Sequence, residues 1–138
     1  MSLRLLESDA ARFARSLAEA RGYHARASQF THDGQRPSLV FNVAAMAVEG
    51  YMVALCAYHR QMPAHHSYTH MAREAADLMT LDAALVADVA ALDRIFGLCS
   101  VDHYHHGDPD AADAAHALSV CDRLSPVLAA LDTGALAS

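Results

Sequence analysis

The sequence predicts an all-α fold: an up-down bundle of four long helices plus one short helix, forming a single domain over residues 1–138. Three observations carry that reading. Apolar residues recur at steps of three and four, and no segment alternates with period two. Only 4 Pro and 6 Gly interrupt 138 residues. Hydrophobic residues make up 54 % of the chain against 19 % charged, which supplies a core and excludes intrinsic disorder.

The first helix is expected from about Ser8 to Phe30, where Phe13, Leu17, Ala20, His24 and Ala27 keep one face inward. Thr31 to Ser38 breaks it, with turn chemistry at Asp33-Gly34. The second helix runs from about Pro37, suited to an opening turn, to Arg60. After the break Gln61–Ser67, Ser67 caps a short third helix over about Tyr68–Met79. Thr80 caps the fourth, with Asp82 in its first turn complementing the helix dipole. Its stripe Leu85, Val89, Leu92, Phe96, Cys99 steps by 4, 3, 4, 3 and lands next on His103. The segment His103–Pro109 ends that pattern. Asp108 then caps the fifth helix, with Pro109 at its first position and Ala117, Val120, Leu124, Val127 and Leu131 as its stripe. Pro126 lies inside this pattern and is expected to kink the helix or fray its last turn.

Composition narrows the function classes. The chain holds 30 Ala and 10 Arg but no Lys, and its net charge is −6. An electrostatic nucleic-acid binder needs a basic face, so nucleic acid is not the expected partner. Cys56, Cys99 and Cys121 form no CxxC pair and no disulfide framework, which reads as reduced, buried thiols in a cytoplasmic protein. Met1–Glu7 turns acidic too soon for a signal peptide. Leu39–Tyr58 is long and apolar enough to span a bilayer, but Glu49 near its centre would cost roughly 2.5–3.5 kcal/mol there. A central bundle helix is the better reading. That helix also has more apolar surface than one seam uses, so a homodimer covering the surplus is expected.

Candidate chemistry centres on histidine and one acid. Seven of the 10 His fall in two clusters: His59, His65, His66, His70 and His103, His105, His106. His66 and His70, spaced i, i+4, together with His103 and His106, are the candidate metal ligands, and Asp102 can join the second set. An up-down topology puts the two groups one helix length apart, unless the short helix folds back or a dimer joins them. No ExxH motif supports a di-iron site. Glu49 must be paired or protonated if buried, with Tyr23, His24, Tyr104 or an Arg as candidate partners. There is no nucleophile elbow, no glycine-rich phosphate loop and no spacing that activates a cysteine.

Four features in order then stand out: a first helix carrying Tyr23; Ala47-Val-Glu49-Gly-Tyr-Met-Val-Ala-Leu55 in the second; Thr69-His70-Met-Ala opening the third; and Asp102-His103-Tyr104 after the fourth. This order resembles the HEPN domain family of small prokaryotic helical bundles. The family carries an A-x-E pattern in its second helix, a T-H-x-L start to its third, and an Arg/His/Tyr-bearing segment between its last two helices. The resemblance implies a ligand-binding cleft formed by Glu49, Tyr23, Asp102, His103 and Tyr104. Family ribonucleases carry Arg-x(4–6)-His. Here no Arg stands at that distance before His103, His105 or His106. Arg94 precedes His103 by nine residues, on the opposite face of a continuous helix. The expected function is therefore a non-catalytic binding or toxin/antitoxin-type accessory module. The resemblance implies a nucleotide ligand and a small nucleotidyltransferase partner for it. The enzyme alternative is a ribonuclease that uses His103 as acid/base with an Arg, Arg94 being the candidate, across a dimer cleft. The third reading is a His-rich metal-binding bundle.

Overall fold

The computed structural model describes residues 7–65, 67–96 and 108–134, and these are all helix, turn and connection, with no strand among them. The elements are α1 Asp9–His32, α2 Pro37–Tyr58, α3 Tyr68–Leu78, α4 Ala83–Ala90, α5 Leu92–Phe96 and α6 Ala111–Gly134. The apolar α2 is the centre of the fold. It packs most extensively against α1, then against α6, and also against α3. It is the one described helix long and apolar enough to cross a membrane, and 61 % of its most apolar stretch is buried inside the protein.

Local chemistry sets the first two helices. Ser8 Oγ accepts from Ala11 N–H at 3.0 Å and opens α1. The helix closes with Gly34 at φ +73°, where Gly34 N–H reaches Thr31 O and Gln35 N–H reaches Phe30 O. That paired-bond ending needs a left-handed residue, which glycine supplies without strain. Pro37 then opens α2, as its position suggested. The far end of α2 repeats the same ending: Arg60 N–H bonds Ala57 O and Gln61 N–H bonds Cys56 O, with Arg60 at φ 62°.

The remaining helices depart from the sequence reading in three places. Asp82, not Thr80, caps α4, accepting from Leu85 N–H at 3.3 Å. Leu81 packs against the core, so the chain stays non-helical past Thr80. The expected fourth long helix is interrupted at Ala91, dividing α4 from α5. The interruption re-aims the following turn so that Asp93, 2 % exposed, bonds the Tyr68 and Thr69 N–H groups at 2.9 and 2.8 Å. With Ser67 Oγ accepting from His70 N–H at 3.2 Å, three opening donors of α3 are satisfied. Asp110 and Asp113, not Asp108, form the start of α6. Each carboxylate accepts the other's N–H, at 2.9 and 3.0 Å, a reciprocal box that outcompetes a single cap two residues earlier. Pro126 does not end α6, which continues to Gly134. It lies on the exposed face, where water can serve the carbonyl it orphans.

The inward stripes of α1 and of α4 and α5 are buried at Phe13, Leu17, Ala20, Ala27, Leu85, Val89 and Leu92. Two neighbours also donate onto α2 carbonyls: Tyr68 O–H to Ala45 O at 2.8 Å, and Cys121 S–H to Ala44 O at 3.2 Å. Alanines let the helices approach closely. At the α1–α2 crossing, a Cβ added to Gly50 would stand 2.9 Å from the Ala20 Cβ.

Candidate functional site

The α1–α2 crossing opens on its solvent side into a groove of about 330 Å³. Asn42, Met46, Glu49 and Val53 step by 4, 3, 4 along α2, and none of them is fully buried. Glu49, part-buried, thus belongs to the lining of a groove and not to the closed core. Tyr23 of α1 lines the same groove, with Arg12, Arg15 and Glu19 further along it. Met46 and Met62 also line it, and they are the exposed large hydrophobics among the described residues, at 45 % and 55 %.

The groove's two arginines are engaged by acids. Arg15 grips Glu7 through Nε and Nη2, both at 2.7 Å, and reaches Glu19 at 3.3 Å. This fork holds the Glu7 carboxyl below its ordinary range and the Arg15 guanidinium above its own. Arg12 bonds Asp9 at 2.9 Å. A phosphate would have to displace these carboxylates.

The other sequence candidates are distributed differently. Asp102, His103, Tyr104, His105, His106, Cys99 and His66 lie outside the described residues. Arg94 is exposed on α5. His70 is exposed at the start of α3, 2.6 Å from Ser67 Oγ through Nδ1, with its ring centroid 4.5 Å from that of His65. Among the described residues, no three His, Cys, Asp or Glu side chains gather closely enough to hold a metal ion.

Cys56 and Cys121 are free, buried thiols. Burial pushes Cys56 up to about 11 and Cys121 up to about 12. Both stay protonated at neutral pH, which disfavours a nucleophilic role. In the native protein near pH 8, neither is expected to react with Ellman's reagent on the timescale that exhausts the urea-unfolded chain; rapid native reaction at either would contradict the burial. Unfolded thiols ionise near pH 9 and these near 11 and 12. Their contribution to stability is therefore complete below pH 9 and is lost as pH rises through the folded values.

A polar network that sequence reasoning missed links α1, α2 and α6. His24 Nε2 stands 2.8 Å from Asp122 Oδ1, and His24 Nδ1 stands 2.8 Å from the Tyr51 hydroxyl. Tyr51 is fully buried, and burial raises its phenol's pKa. His24 was on the inward stripe and a candidate partner for Glu49, but its ring nitrogens serve Tyr51 and Asp122 instead. Asp122 sits 98 residues away and carried no local signal.

Comparison with protein-family models, curated proteins and solved structures finds no match for this chain.

Proposed function

We propose that this chain is a HEPN-like, non-catalytic accessory module that acts as a homodimer through the α1–α2 groove. In this reading α4 and α5 together stand for the fourth helix of an up-down bundle. The small nucleotidyltransferase that the resemblance implies binds the assembled dimer. One observation carries the reading. Met46 and Met62, the exposed large hydrophobics, share a single groove with Tyr23 and Glu49, the second-helix acid of the resemblance.

Exposed methionines on a concave face favour association. A two-fold contact requires a self-complementary patch. This groove carries both signs, Arg12 and Arg15 beside Glu19 and Glu49, so a second copy meets a mixed surface without a single-sign charge to repel it. The same carboxylates disfavour a nucleotide phosphate there, which makes a protein surface the better occupant and a nucleotide the weaker one.

Sedimentation velocity at micromolar concentration tests this. The wild-type chain is expected to run as a dimer. Met46→Asp, at a position 45 % exposed, is expected to weaken association by at least about tenfold while leaving the helical circular dichroism unchanged. A monomeric wild type, or a dimer indifferent to Met46→Asp, would overturn the proposal.

A further inference from the structure

A second groove, on another face of the protein, lies between the α1–α2 turn and the first half of α6. Its volume is about 320 Å³, within the range of small-ligand sites. Val40, Ala114, Ala115 and Leu118 give it an apolar surface. Asp122 is the charged side chain among its described lining, and neither Arg nor Lys joins it.

Asp122 is held from behind. His24 Nε2 lies 2.8 Å from Asp122 Oδ1 and its Nδ1 lies 2.8 Å from the Tyr51 hydroxyl, so one ring joins the two side chains. Tyr51 is fully buried, so the carboxylate is anchored through two side chains to the rigid core. Arg123 on the same helix lies 2.8 Å from Asp88, and Arg21 lies 3.7 Å from Asp132. A positioned anion beside a small-residue surface, in a chain of net charge −6, selects a positive ligand with an apolar body.

We propose that this groove binds a small amphipathic cation, a primary ammonium on a hydrocarbon or aromatic body. The ammonium pairs with Asp122 and the body lies on Ala114, Ala115 and Leu118. Tyr51 acts as a positioning residue through His24. An anionic ligand is rejected by the same carboxylate.

The test is an amide-resolved NMR titration of the full chain with 2-phenylethylammonium, 2-phenylethanol and 3-phenylpropionate. The ammonium is expected to shift amides of the α1–α2 turn and of α6, binding about tenfold more tightly than the alcohol, with no saturable effect from the carboxylate. Asp122→Asn should remove about tenfold of the ammonium affinity and leave the alcohol unchanged. Ala115→Phe, at an exposed position on the wall, should abolish both by filling the groove. Tyr51→Phe keeps the ring and should weaken the ammonium alone. Equal binding of the three probes, shifts that persist in Ala115→Phe, or no response to the ammonium at millimolar concentration would each overturn the proposal. None of these outcomes depends on the dimer face.

Discussion

Asp93→Ala is expected to destabilise the protein by about 3 kcal/mol. The carboxylate is 2 % exposed and takes the N–H groups of both Tyr68 and Thr69. Removing it leaves two buried or part-buried donors without an acceptor, and each such orphan costs about 1–3 kcal/mol. Asp93→Leu should not rescue the loss, because filling the space restores no acceptor. Asp93→Asn keeps one carbonyl oxygen and is expected to recover roughly half. Urea unfolding followed by circular dichroism measures all three. An alanine variant within about 0.5 kcal/mol of wild type would show that the α3 start finds its acceptors elsewhere.

Gly50→Val is expected to cost about 2–3 kcal/mol, although valine has the better helix propensity. A Cβ at Gly50 meets Ala20 Cβ at 2.9 Å, Ala20 Cα at 3.2 Å and Ala20 N at 3.3 Å, so part of the obstacle is backbone. Helix α1 must move as a body to relieve it. Gly22 is the internal control. It also lies within a helix, but nothing stands within 4 Å of its added Cβ. Gly22→Ala is therefore expected to raise stability by about 0.5–1 kcal/mol, while Gly50→Ala lowers it. The same substitution in two helices then has opposite signs, and thermal unfolding of the pair checks this. A stabilised Gly50→Ala would mean that the helices separate without penalty.

The contrast between those two residues also shows what the chain made legible. Helical periodicity located α1, α2 and α3 to within two residues, because their inward faces and cap residues agree. The same periodicity ran through Ala91 without a signal. Leu85, Val89 and Leu92 remain buried across the interruption, and the bonds of Asp93 to the α3 start are a tertiary feature that periodicity does not carry. Asp110-x-x-Asp113 was present in the sequence, but Asp108-Pro109 offered a competing start that looks equally good locally. Tyr23 was a candidate partner of Glu49 from the sequence, and the structure sets both on one groove. Glu49 looked central because its flanks are apolar; its outward register appears only when Asn42, Met46 and Val53 are read as one stripe. The His24 network joins residues 27 and 98 positions apart, and no local pattern encodes such a pairing.

The donors on the α2 carbonyls have a further consequence. Hydrophobic burial has no direction, so a helix apolar on most sides can turn about its axis or slide along it at little cost. Tyr68 and Cys121 approach α2 from different helices and end on adjacent carbonyls, Ala45 and Ala44. Hydrogen bonds are angular, and two of them from separate sides act as a key in a shaft. They fix both the rotation and the axial setting of α2, and with them which of its residues face water.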